Sequence, residues 1–394
     1  MSTGNGKVMF GTRRTSELTA KTPVKPEVTK RISHPQITCP ELPLDKTSEI
    51  GMDIYTAAAK NDLTVLQSSI DNLTADEKKA IINWKNGKNF GRTALMIAAK
   101  NGNIPAMKFL TQEKATDVFI HDDHELGSTA IHLATEFGRV DAVCFLADFN
   151  SNLIDIKNKV DSTPLNIAAF QGFIKIVEYL VEDKKANIEN KGSFNRTPLM
   201  SAAEMGHDKI VEFLLSHGAI VDSKSNAEGN GDMAIHLAAY FGHLEVIRLL
   251  LERDGKLLEA KNNTNETPLN RAAIGGQLAV VQYLAGDLKA NLENCGELGR
   301  TPLLQAADEG QAAVVDLLID LGANVEAKDR ENADNALHLA AYFDHNKVVE
   351  ILLRKGGKRL VHSINKQGAT AFEIAKQKNN IETLAVMKNH GIKC

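Results

Sequence analysis

Small apolar residues recur along most of this chain in one short phrase, and the phrase returns about every 34 residues. In the stretch from Thr163, the residues Leu165, Ile167, Ala168 and Ala169 line one face of a short helix. Thr163 suits the N-cap, and Pro164 suits the first helical position, where a missing N–H costs nothing. Gly172 ends the helix. Ile174, Ile176, Val177, Leu180 and Val181 then follow i, i+3, i+4 spacing, which predicts a second amphipathic helix. A polar stretch from Asp183 to Arg196 leads to the next Thr-Pro. Alanines on the first helix let the second approach closely. One such pair cannot bury its own apolar face, so neighbours must stack.

Ten copies start near residues 53, 93, 129, 163, 197, 233, 267, 301, 335 and 370. A period of this length signals a solenoid rather than separate globular domains. The expected fold is all-α: paired antiparallel helices with hairpin-like linkers over residues 51–394. The first copy lacks Thr-Pro and is followed by a capping box, Thr74 with Glu77, ahead of a helix over 75–82. The last copy carries Lys376, Gln377 and Lys378 where the others are apolar, as an end repeat facing water requires. Residues 1–50 show no apolar period and hold five of the ten prolines. Their eight Lys/Arg against five Asp/Glu give a net of +3. Such a segment cannot bury enough surface to offset its ordering entropy, so the expectation is a disordered basic tail.

A longer period runs over the shorter one. His132, His236 and His338 hold the fourth position of the copies from Thr129, Met233 and Asn335, three repeats apart. The copies that follow the first two, from Thr163 and Thr267, both begin Thr-Pro-Leu-Asn. Duplication explains this pattern, and so does a partner that itself repeats.

Charge and composition narrow the functions. The net charge is −4, so bulk electrostatic binding of nucleic acid is not expected. No run of 18 apolar residues predicts membrane insertion. The four cysteines lie far apart, which predicts reduced thiols in the cytoplasm. The three histidines cannot converge on one metal ion. His121-Asp122-Asp123-His124 lacks a further spaced ligand set. No nucleophile elbow or phosphate loop occurs. Neither catalytic, cofactor nor metal residues are therefore expected. Six linker acids, Asp155, Glu189, Asp222, Glu259, Glu293 and Glu326, fall in one column of the stack. Each either accepts hydrogen bonds from the adjacent linker backbone or faces a basic partner. In the tail, Ser16 follows Arg13-Arg14 and Ser33 follows Lys30-Arg31, each with one residue between. Both serines are candidate phosphorylation sites.

The Thr-Pro-Leu-His/Asn-x-Ala-Ala phrase, the glycine behind it and the Ile-Val-x-x-Leu-Leu of the second helix resemble the ankyrin repeat family. The resemblance implies a non-catalytic adaptor or scaffold that binds a protein or peptide in a concave groove of first helices and loop tips. The residues before the helix-ending glycine, or its equivalent, would face that groove: Glu136, Phe137, Phe170, Glu204, Met205, Tyr240, Phe241, Ile274, Asp308, Glu309, Tyr342 and Phe343. Their chemistry asks for a partner with apolar and basic residues, held by a monomeric array within a complex. The alternatives are a stoichiometric inhibitor of an enzyme or channel, and a structural part of a cytoskeletal or ciliary assembly.

Overall fold

The computed structural model describes residues 46–225, 230–296 and 298–392. Among them are 22 α-helices and no β-strand, an all-α helical-repeat fold. The chain divides into two compact units. The first holds Met1–Ala168 with Lys175–Asn187, and the second holds Ala169–Ile174 with Ile188–Cys394.

In the first unit the helices Lys46–Lys60, Ala94–Asn101 and Ala130–Glu136 stack in order. The helices Leu63–Ile70, Ile104–Gln112 and Val140–Phe149 pack behind them. Their fully buried side chains include Leu66, Leu95, Met107, Ile131 and Leu146. Each such side chain contributes about 1.5–3 kcal/mol relative to exposure. The capping box forms: the Thr74 N–H donates to the Glu77 carboxylate at 2.8 Å, and the helix runs Ala75–Ile82.

The second unit stacks the first helices Pro198–Met205, Ala234–Phe241, Pro268–Gly275, Pro302–Asp308, Ala336–Tyr342 and Ala371–Lys378. Gly275 shows how close the stack is. A Cβ there would lie 2.1 Å from the Tyr240 carbonyl oxygen, so only glycine fits. The three-repeat period is physical as well. The second helices of the repeats from Thr163 and Thr267 end in a π-turn, over Tyr179–Asp183 and Gln282–Asp287. Each turn absorbs an extra residue and leads to a lysine at positive φ, Lys185 at 56° and Lys289 at 59°. In the repeats that follow, glycines (Gly218, Gly322) hold the left-handed position after the second helix.

Side chains staple each repeat to its neighbour. In the first unit the His132 Nδ1 accepts the Thr129 N–H, so Nε2 carries the proton and donates to the carbonyls of Ile156 and Ser162 at 3.0 and 3.1 Å. In the second unit His236 braces Ala260 and Glu266 in the same way, both at 3.1 Å. Burial pushes both histidines down to about 4, so they work as neutral braces. The linker acids accept backbone bonds from the next linker: Asp155 from Asn187 in the first unit, and in the second Glu189 from Ile220, Glu259 from Asn291 and Glu293 from Asn324.

Candidate interaction surface

The residues expected to face a groove sit where first helices end, and in each case the backbone puts them there. Beyond Lys46–Lys60, a first helix is only seven or eight residues long, and its C-cap or last turn leaves the core. The alanines before it are buried, and the next two side chains emerge half-exposed.

In the first unit this holds for Glu136 and Phe137. The Lys100 Nζ lies 4.5 Å from the Phe137 ring centroid. Desolvation lowers the Lys100 pKa, and the nearby Arg92 adds to the effect. Arg92 itself is buried, and its Nε meets the Asp122 carboxylate at 3.2 Å. Two cations and two acids balance this face.

In the second unit Phe170, Glu204, Met205, Tyr240, Phe241, Ile274, Asp308, Glu309, Tyr342 and Phe343 are all half-exposed. The aromatic pairs stand edge to face, with centroids 5.0 Å apart for Tyr240–Phe241 and 4.8 Å for Tyr342–Phe343. A cation from the next repeat covers each tyrosine. The Arg271 guanidinium lies 4.6 Å from the Tyr240 centroid, and the Lys378 Nζ lies 4.1 Å from the Tyr342 centroid. The tyrosines thus form part of the inter-repeat packing, and Phe241 and Phe343 stand outside the cation contacts.

Beneath the rings lies an ionic cluster that sequence spacing did not reveal. Arg271 is buried and reaches Asp232 at 3.1 Å and Glu266 at 3.6 Å. Asn262 donates to Asp232 at 2.8 Å, and Gln305 donates to Glu266 at 2.8 Å. Arg196 pairs with Glu204. Burial raises the Glu204 pKa, with Arg196 opposing it. Arg300 pairs with Asp308 at 2.8 Å and lies 3.6 Å from buried Asp329. Arg92, Arg196 and Arg300 are spaced 104 residues apart, each just before a helix-capping threonine. That spacing was the available signal. The partners Asp232, Glu266 and Asp329 come from loops and had none. Three guanidiniums, Arg196, Arg271 and Arg300, meet five acids, Glu204, Asp232, Glu266, Asp308 and Asp329.

The loop tips beside these arginines are apolar and bare. Phe194 is 54% exposed at φ 57°, and Leu298, at the equivalent place three repeats on, is 45% exposed. Ser16 and Ser33 lie outside the described residues. Among the described residues no group of three or more histidine, cysteine, aspartate or glutamate side chains is arranged to hold a metal ion.

A family model described as Ankyrin repeats (3 copies) matches residues 54–159, 149–225, 220–294, 288–360 and 303–394. The chain belongs to the ankyrin-repeat family. No curated protein matches it. Ankyrin repeats are in general protein–protein interaction modules. Among the described residues of this ankyrin-repeat protein, no helix is long and apolar enough to cross a membrane.

Proposed function

We propose that this ankyrin-repeat protein is a non-catalytic adaptor whose first-helix face in the second unit receives a protein or peptide carrying apolar and basic side chains. One observation carries the reading: a half-exposed aromatic step at Tyr240–Phe241 stands over a buried cluster of arginines and carboxylates, and a second half-exposed step lies at Tyr342–Phe343. Aromatic area supplies affinity, and the acidic side chains beside it favour cationic flanks. The free thiols of Cys144 and Cys295 fit a cytoplasmic setting. Burial pushes the Cys144 thiol up, away from reactivity.

The test is affinity purification with the full chain and with a Tyr240→Ala/Phe241→Ala variant, followed by affinity measurement on the recovered partner. An anchor of this type is worth about 2 kcal/mol, a factor of roughly 30 in affinity. If the variant keeps its helical circular dichroism and binds unchanged, the face is misassigned. The Phe194 and Leu298 tips are then the surface to change next.

A further inference from the structure

In the second unit the linker acids tie each linker to the next, and the tie is missing at Glu326. Glu259 accepts the Asn291 N–H at 2.8 Å, and Glu293 accepts the Asn324 N–H at 2.9 Å. Among the described residues the Glu326 carboxylate, next in the column, meets Arg359 alone, at 3.9 Å. Arg359 belongs to a short helix, Gly357–Val361. A cavity of about 170 Å³ opens there, lined by Glu326, Lys328, Asn335, Arg359, Leu360 and Ser363. None of these residues belongs to the aromatic steps. We propose that this cavity binds a phosphate group, with Lys328, Arg359, Ser363 and the Asn335 amide as its donors.

Asn335 carries the assignment. It is 1% exposed, and its Nδ2 has no hydrogen-bond partner among the described residues. Its Oδ1 accepts the N–H groups of Leu337 and His338, both at 3.0 Å, which caps the helix Ala336–Tyr342 and fixes the amide's orientation. A swapped amide would gain one bond, to the His338 Nδ1 at 2.6 Å, and lose those two. Thr267 and Thr301 cap their helices with a single hydroxyl. Asn335 adds an NH2 group that the cap does not use, and a buried donor left unpaired is costly. The cations set the sign of its partner. Lys328 Nζ donates to the Ile364 carbonyl at 2.8 Å, which leaves two of its N–H groups for a ligand. The Arg359 side chain is 89% exposed, and its one acid is distant, so the guanidinium can turn to the cavity. Two cations thus face one carboxylate, and the Ser363 hydroxyl and the Asn335 amide add neutral donors. A carboxylate has two oxygens in one plane for these four groups. A phosphate has three or more, set tetrahedrally, and suits a guanidinium fork. Glu326 opposes an anion, which gives the assignment a signed test.

The experiment titrates the full chain with inorganic phosphate, read by phosphorus NMR line broadening, at an ionic strength held constant with chloride. Broadening should saturate with a dissociation constant below about 1 mM. Asn335→Thr installs the cap that other repeats use and removes only the amide, so the chain stays folded and binding should weaken about tenfold. Lys328→Met/Arg359→Met should abolish binding and leave the circular dichroism unchanged, since both side chains are exposed. Glu326→Gln should tighten binding severalfold, because the opposing charge is gone. A short phosphoserine peptide, run beside its unphosphorylated form, separates the sources. Binding about tenfold tighter than that of inorganic phosphate assigns the cavity to a phosphorylated protein, and equal binding assigns it to the free ion. A constant above about 1 mM would overturn the proposal. So would binding that Asn335→Thr leaves unmoved, binding that survives Lys328→Met/Arg359→Met, or a Glu326→Gln variant that fails to bind more tightly.

Discussion

Arg271 is the residue whose loss most directly tests the ionic cluster. Arg271→Met keeps most of the side-chain volume and removes the charge that Asp232 and Glu266 share at 3.1 and 3.6 Å. Removing one partner of a buried ion pair costs about 3–5 kcal/mol, because the remaining charge is left uncompensated. The lower end applies here. Asn262 and Gln305 still donate to the two acids at 2.8 Å and satisfy part of their demand. Loss of the cation over the Tyr240 ring adds about 0.5–1 kcal/mol. The sum, about 3–4 kcal/mol, is between two and three decades in the local opening equilibrium. Repeat arrays can open in parts, so the measurement is amide hydrogen exchange over 234–275, with urea unfolding alongside. Adding Asp232→Asn and Glu266→Gln to Arg271→Met should recover most of the loss, since no charge then remains unpaired. If Arg271→Met lies within about 0.5 kcal/mol of the parent chain, or the triple variant shows no recovery, the cluster is not the buried, coupled unit described above.

Other expectations follow from the braces and the close contacts. His132 and His236 sit near 4 in the folded chain against 6.5 when unfolded. Above pH 6.5 both states are neutral there and stability is unaffected. As pH falls from 6.5 toward 4 the unfolded chain takes up protons first, and about 3 kcal/mol per histidine is lost. Asn270 already fills the bracing role in the next repeat, so His132→Asn/His236→Asn should flatten that part of the urea-midpoint profile; an unchanged slope would assign the loss to other groups. Gly275→Ala should cost about 1–3 kcal/mol by forcing a methyl onto the Tyr240 carbonyl, and an unshifted thermal midpoint would mean the stack yields there. Phosphate on Ser16 and Ser33, read by mass spectrometry of protein from its native cells, should take the tail from +3 to about 0 or −1; unmodified peptides under kinase-activating conditions would remove this switch.

The helical repeat was legible because its signals are local. Thr74 with Glu77, Thr197 before Pro198 and Gly206 behind Met205 each fix a helix end within a few residues of sequence. The half-exposed places of Tyr240 and Phe343 follow from the same counting. The cross-repeat part of the ionic cluster was not legible, because bonds such as Asp232 with Arg271 and Glu266 with Gln305 join residues about one repeat apart. Nothing in a single chain says which loop acid meets which helix arginine. The π-turns were hidden for another reason. The stretches ahead of Lys185 and Lys289 read as ordinary amphipathic helix, and the extra residue shows only in the hydrogen bonds, as when Lys184 N–H reaches the Tyr179 carbonyl. The linker acids had two open readings. The backbone bonds of Asp155, Glu189, Glu259 and Glu293 supply the first.

The bonds that close the first-helix ends, unlike those of His132 and His236, point back along the chain. The carbonyl of Phe170 receives the ring of His207, that of Glu204 the ring of His243, that of Tyr240 the amide of Gln277, and that of Asp308 the ring of His345. In every case the donor is made after the acceptor, some 37–39 residues later. A ribosome therefore releases each repeat with its first-helix end unfinished, and finishes it only as the following repeat emerges. At about 5–20 residues per second, that wait lasts a few seconds. A stall or premature stop exposes the unfinished end of whichever repeat came last. A chain cut short at its C-terminal side should thus be a better client for chaperones than one missing the same length from its N-terminal side.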